Sequence, residues 1–268
     1  MNIRIYWFSG TGNTRAVAEG IARHMAAPGV HVAPMVETAA DDAAGADRVV
    51  LAFPVYAFGM PGAVAEFARR LQVDAGTPVY SVATYAGMAG GPHRELRSLL
   101  KGRDADLYAG WTFKMPENYP VMKPPPPEEK QKQLFEEAEE RLGDVAAAVE
   151  GGVRGPLADT PPPVSWLAPP LHRLAIRKFR TLDRKFHVAE QCTACATCEK
   201  VCPVNNIRMQ DNRPVWLNHC EQCFACVQWC PVEAIEWNGR TQGKPRYHHP
   251  AYTANDFFLN NDRTDDPS

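Results

Sequence analysis

All eight cysteines of the 268-residue chain fall between Cys192 and Cys230. They form two runs, Cys192-Thr-Ala-Cys195-Ala-Thr-Cys198-Glu-Lys-Val-Cys202-Pro203 and Cys220-Glu-Gln-Cys223-Phe-Ala-Cys226-Val-Gln-Trp-Cys230-Pro231, so that C-x2-C-x2-C-x3-C-P occurs twice. A tight turn can present three thiolates to an iron–sulfur cubane before the chain has to leave and return with a fourth. Zinc sites usually show two close pairs separated by a longer gap, whereas here three close cysteines precede a fourth in each run. Disulfides belong to oxidising compartments. The chain opens on Met1-Asn-Ile-Arg-Ile-Tyr with no charged-then-apolar leader, so reduced thiols and a cytoplasmic location are expected.

The spacing resembles that of bacterial two-cluster ferredoxins. The resemblance implies that the first three cysteines of a run hold one cubane while the fourth crosses to the other. One 4Fe–4S cluster would take Cys192, Cys195, Cys198 and Cys230, and the second Cys220, Cys223, Cys226 and Cys202. Pro203 and Pro231 end the runs. The residues between the ligands include Ala194, Ala196, Phe224, Ala225 and Val227, small or apolar types that let backbone N–H groups reach sulfur while excluding water. His219, beside Cys220, is expected at the surface.

A second chemical signal lies near the start. Ile3 to Phe8 is a nearly continuous apolar run, as in a strand buried on both faces of a parallel sheet. Ser9-Gly10-Thr11-Gly12-Asn13-Thr14 follows, then a helical pattern with Val17, Ile21 and Met25 on one face. The loop lacks the lysine of a P-loop and the third glycine of a dinucleotide fingerprint. Small residues, helix N–H groups and the hydroxyls of Ser9, Thr11 and Thr14 instead suit a phosphate monoester. The hexapeptide resembles the FMN-phosphate loop of flavodoxins. Arg15 is expected to be solvated.

That resemblance implies a doubly wound α/β domain with a parallel sheet of order 2-1-3-4-5, whose ligand sits beyond the strand ends. The later strands are read at Val30 to Val36, Arg48 to Phe53, Pro78 to Ala83 and Leu107 to Phe113. The loop after the third supplies Pro54, Val55, Tyr56, Ala57, Phe58 and Gly59, with Tyr56 and Phe58 as aromatics able to flank a flavin ring. The loop after the fourth supplies Thr84, Tyr85, Gly87, Gly90 and Gly91, whose glycines allow close backbone approach. Many long-chain flavodoxins carry an acidic residue and a stacking aromatic here, and Tyr85 is the local aromatic. His93 is expected at a solvated or capping position. Lys114 to Tyr119 is placed at the ligand end of the sheet, over the flavin or facing the clusters.

Glu128 to Val149 reads as an amphipathic helix with Leu134, Ala138, Leu142, Val145 and Val149 inward. Gly152 to Pro170 reads as an extended linker. A basic amphipathic helix follows, with Leu171, Ala175, Phe179, Leu182 and Phe186 on one face and Arg173, Arg177, Lys178, Arg180, Arg184 and Lys185 around the rest. It is expected to pack on a neighbour, with a membrane surface or acidic partner as the alternative. The expected units are residues 1–152, an FMN-binding domain; 153–185, linker and basic helix; 186–238, a smaller α+β two-cluster domain; and 239–268, a polar tail.

With 45% hydrophobic residues the chain can build two cores. A formal net charge of −2 and the lack of a basic stripe disfavour nucleic acid. No apolar run reaches the roughly 20 residues a membrane span needs. Taken whole, the chain resembles bacterial flavodoxin–ferredoxin fusions, which implies FMN, two 4Fe–4S clusters and electron transfer with unidentified redox protein partners. A homodimer is left open. The alternative expectation is a flavin-dependent reductase of a small molecule, a quinone or metal ion, fed by the clusters. No NAD(P)H motif is present.

Overall fold

The computed structural model describes residues 1–39, 41–103 and 105–259. Five strands, β1 (Asn2–Trp7), β2 (Gly29–Pro34), β3 (Arg48–Pro54), β4 (Thr77–Tyr85) and β5 (Ala105–Lys114), form one sheet of order β2-β1-β3-β4-β5. All four pairings are parallel. The largely apolar runs of β1, β3 and β4 are buried because helices cover both faces. β2 is an edge strand, half-buried along most of its length.

One face packs on α1 (Asn13–Arg23) and α4 (Glu128–Glu150), through Val17, Ile21, Leu142, Val145 and Val149. The other packs on α2 (Gly62–Arg70) and α3 (Pro92–Leu100), through Val64, Phe67, Leu96 and Leu100. The expected α4 face is buried as read. Met25 lies just past the end of α1, and α3 has no counterpart in the sequence reading.

The segment read as a linker is tied down instead. Gly155 N donates to the Tyr108 carbonyl at 3.0 Å, and Ala158 N to that of Gly110 at 2.9 Å, which continues the sheet past β5. Asp159 accepts the N–H groups of His93 and Arg94, both at 3.0 Å. It therefore caps α3, whose own N-cap, Gly91, has no side chain to do so. Helix α5 (Val164–Phe179) then begins earlier than expected and contains Pro169 and Pro170. Its buried residues are Ser165, Ala168 and His172; of the expected inward residues Leu171 points outward, while Ala175 and Phe179 are half-buried. The helix does not run on to Phe186. A 3-10 turn at Leu182–Lys185 and strand β6 (Phe186–Val188) replace its expected last turns.

The cysteine-bearing part contains short helices α6 (Thr197–Lys200) and α7 (Ala225–Gln228), and two two-stranded sheets. In these, β6 pairs with β9 (Ile235–Trp237), and β7 (Ile207–Gln210) with β8 (Arg213–Trp216), both antiparallel. Residues 240–259 are not a free tail. Tyr252 and Phe257 are buried in the same core as Trp7, Val17 and Trp229, so this segment straps the two parts together. The rest of the expected tail, residues 260–268, lies outside the described residues.

Candidate functional site: a cofactor cavity against two cysteine sets

β1, β3 and β4 end at one edge of the sheet, and their loops enclose a cavity of about 450 Å³, a size that suits a small cofactor. Ser9, Gly10, Asn13 and Thr14 line it from the first loop, Pro54 to Phe58 from the second, and Thr84 to Met88 from the third. The Thr14 and Thr84 hydroxyls meet at 2.7 Å. Thr11 and Gly12 stand behind this lining. Thr11 Oγ1 accepts from Asn118 Nδ2 at 2.7 Å, and Gly12 N donates to Ser9 Oγ at 3.1 Å.

Three glycines expected near the ring lie elsewhere. The second loop closes on itself, with Tyr56 N on the Gly59 carbonyl at 2.9 Å and Gly59 N on that of Tyr56 at 3.1 Å. Ala57 and Phe58 take left-handed φ values of 48° and 71°. This turn leaves Phe58 exposed and backs Gly59 onto Glu95 and His172. Gly90 and Gly91 buttress the turn: Gly91 N donates to the Phe58 carbonyl at 3.0 Å, and a Cβ on Gly90 would lie 2.1 Å from that oxygen. His93 is fully buried, not solvated, with Nδ1 2.6 Å from Ser81 Oγ, and burial lowers its pKa to about 3.

Arg15 is not solvated either. It pairs with Glu19 at 2.7 Å, bonds the Asp256 carbonyl, and lies over the rings of Trp7, Tyr252 and Phe257. His219 is half-buried, its Nε2 2.9 Å from the Val204 carbonyl.

The segment after β5 reaches both the cavity and the cysteine-rich part. Met115 to Tyr119 and Met122 line the cavity, while the Asn118 carbonyl accepts Gln228 Nε2 at 2.8 Å and Tyr119 packs edge-on against Phe224. Phe179, Gln222 and Cys223 complete the lining, and these the sequence reading missed. Their distance along the chain hides them, although Cys223 was already a ligand candidate for separate reasons.

The cysteines gather in two sets. Cys192, Cys195, Cys198 and Cys230 line one small cavity with Ala194, Ala196 and Ile235. Burial, then the charges of Cys230, Cys195 and Cys192, push the Cys198 thiol up to about 12. In the other set, burial followed by the charges of Cys202 and Cys220 raises Cys223 well above its ordinary value. Burying four mutually repelling thiolates is unfavourable unless cations compensate.

Among the described residues no three His, Cys, Asp or Glu side chains stand close enough to hold a single metal ion.

The backbone follows the same two-fold pattern. Ala194 and Gln222, Ala196 and Phe224, and Asn205 and Glu233 occupy equivalent places in the two runs, and all six have positive φ. Such conformations are unfavourable by about 1 kcal/mol each outside glycine and persist where the surroundings demand them. The curled chain turns N–H groups onto sulfur: Asn206 N reaches Cys202 Sγ, Gln222 N reaches Cys220 Sγ, and Ala234 N reaches Cys230 Sγ, each at 3.2 Å.

The two sites are neighbours. Tyr56 lines the cavity, and burial, followed by the charges of Cys223, Glu221 and Cys220, raises its pKa. Glu221 accepts Gly62 N at 2.8 Å and Ala63 N at 3.0 Å, capping α2 across the two parts. Trp229 Nε1 donates to the Gly10 carbonyl at 2.9 Å. From the strap, Tyr247 OH donates to Asn13 Oδ1 at 2.6 Å and His249 N to the Thr11 carbonyl at 2.8 Å.

Fold and sites together define a protein with a parallel-sheet cofactor unit and a two-fold cysteine-rich unit. A family model described as a flavodoxin domain matches residues 4–103, and one described as a 4Fe–4S dicluster domain matches residues 184–231. Similar solved structures include Flavodoxin 2 of Bacillus cereus, 20% identical with a TM-score of 0.44, covering 57% of this chain and 99% of that one. The flavodoxin of Megasphaera elsdenii is 25% identical with a TM-score of 0.37, covering 52% and 98%. A Fusobacterium nucleatum flavodoxin bound to flavin mononucleotide is 14% identical with a TM-score of 0.41, covering 57% and 98%. No match was found among curated proteins.

The chain is a flavodoxin–ferredoxin fusion. Its cofactors are FMN and two 4Fe–4S clusters, and its role is electron transfer. Among the described residues no helix is long and apolar enough to cross a membrane.

Proposed function

We propose that this protein passes electrons between FMN and its two clusters within a single chain, joining a two-electron partner to a one-electron one. Flavin chemistry supplies one or two electrons at a time and each cubane one. The observation that carries the reading is that Cys223 and Gln222 line the same cavity as Ser9, Thr14 and Tyr56.

Ser9, Gly10, Asn13 and Thr14 would hold the phosphate, with the first-turn N–H groups of α1 directed to it. Tyr56 and Tyr85 would border the ring. Cys202, Cys220, Cys223 and Cys226 would form the inner set, beside the flavin. Cys192, Cys195, Cys198 and Cys230 would form the outer set, in which Cys195 is exposed. The outer set therefore suits exchange with a redox protein. On this reading the flavin unit extends through about residue 160, because Asp159 and Thr160 bond to α3 and to Gly90.

The test is anaerobic purification with iron, sulfide and FMN quantified per chain, then stepwise reduction followed by absorbance and electron paramagnetic resonance. About eight irons and one FMN are expected. Illuminating the flavin with a sacrificial donor should reduce the clusters at a rate independent of protein concentration. A rate proportional to concentration would mean transfer between chains and would overturn the proposal.

A further inference from the structure

The outward face of α5 has no role in the cofactor sites. Trp166, Leu167, Leu171 and Leu174 are 63%, 64%, 65% and 68% exposed. They fall at i, i+1, i+5 and i+8, within one broad side of the helix, opposite the buried Ser165, Ala168 and His172. A run of large apolar side chains this exposed on one helix marks an interaction surface.

Charge limits what can cover it. Between Asp159 and Asp183 the chain has no acidic residue, while Arg173, Arg177, Lys178 and Arg180 are all present. All four bases are exposed, and among the described residues no carboxylate lies within ion-pair distance of Arg173, Arg177 or Lys178. A second copy paired through this face would bring a second set of bases with no acid from the helix to meet them. Aromatic and leucine side chains flanked by cations are what an interfacial helix offers to acyl chains and anionic headgroups.

We infer that α5 binds the surface of an anionic membrane. It lies along that surface, with Trp166, Leu167, Leu171 and Leu174 entering the headgroup–acyl boundary and Arg173, Arg177 and Lys178 meeting phosphate. Its inner face fixes the orientation. Ser165 packs on Gly91, His172 on Gly59, and Phe179 lines the cavity. The helix therefore follows the flavin loops, whose Phe58 and Met88, with Met122 from the segment after β5, are 45%, 46% and 70% exposed and lie at the cavity lining. Membrane binding would place that apolar margin next to lipid. The inference does not depend on the route of electrons.

The experiment is sedimentation of the full, cofactor-loaded protein with vesicles of phosphatidylcholine alone and with vesicles containing about a third phosphatidylglycerol. Binding to the anionic vesicles and its loss in high salt are expected. L171E/L174E should reduce affinity at least about tenfold, and R173Q/R177Q/K178Q should remove the preference for anionic lipid. Unchanged iron and flavin content in each variant excludes misfolding as the cause.

No binding by the wild-type protein would overturn the inference, as would equal binding by L171E/L174E. A concentration-dependent dimer in sedimentation equilibrium that L171E/L174E dissolves would assign the face to a second copy instead and equally overturn it.

Discussion

Gly10, in the loop that opens α1, lies directly against Cys223: a Cβ built on the glycine would sit 3.0 Å from the Cys223 Cβ and 3.1 Å from its carbonyl oxygen. Cys223 cannot yield when its sulfur is bound to iron. Gly10→Ala should therefore push the loop away from the cysteine, destabilising the protein by about 1–3 kcal/mol. The check is urea denaturation together with light-driven flavin-to-cluster transfer, which should slow while iron content stays unchanged.

The crossing of Cys202 and Cys230 between the runs predicts which cluster each replacement removes. Cys202→Ala should eliminate the site shared with Cys220, Cys223 and Cys226, and Cys230→Ala the site shared with Cys192, Cys195 and Cys198. Each variant should retain about four irons. Flavin-to-cluster transfer should disappear in Cys202→Ala and persist in Cys230→Ala, as read by paramagnetic resonance after illumination.

Tyr247→Phe removes the donor to Asn13 Oδ1 and leaves that oxygen buried without its partner. A loss of about 1–2 kcal/mol is expected, felt as roughly tenfold weaker FMN retention because Asn13 lines the cavity. Fluorescence titration of the flavin-depleted protein measures it.

Burial holds His93 neutral, with a pKa of about 3 against 6.5 for the free side chain. Between those values the unfolded chain binds the proton and the folded one does not. Stability is therefore full above about pH 7 and falls as pH drops through the unfolded value, by about 2 kcal/mol between pH 8 and pH 5. His93→Gln cannot take up that proton. Its denaturation midpoints should show a shallower decline than the wild type over that range, and parallel curves would refute the assignment.

The sheet and the cysteine-rich unit were legible because each shows in short-range pattern. Ile3 to Phe8 is nearly, and Val49 to Phe53 wholly, apolar since both faces are covered, and the two cysteine runs share the same spacing of Cys and Pro. The rest depends on contacts between distant residues. Gly90 and Gly91 looked like close-approach glycines and are, but they approach Phe58, not the cavity. Asp159 looked like linker and instead caps α3 from outside the helix. Leu171 read as buried with Ala175, Phe179, Leu182 and Phe186 and is exposed, because the helix stops at Phe179 and its first turns meet protein through Ser165, Ala168 and His172 instead.

The strap has a consequence for biogenesis. Tyr247 lies 234 residues beyond Asn13, so the ribosome completes nearly all of the second unit before the first receives its final wall. Flavin captured earlier would be held by an open-sided nest, and secure retention of the nucleotide becomes a late maturation event that reports on assembly of the cysteine-rich half.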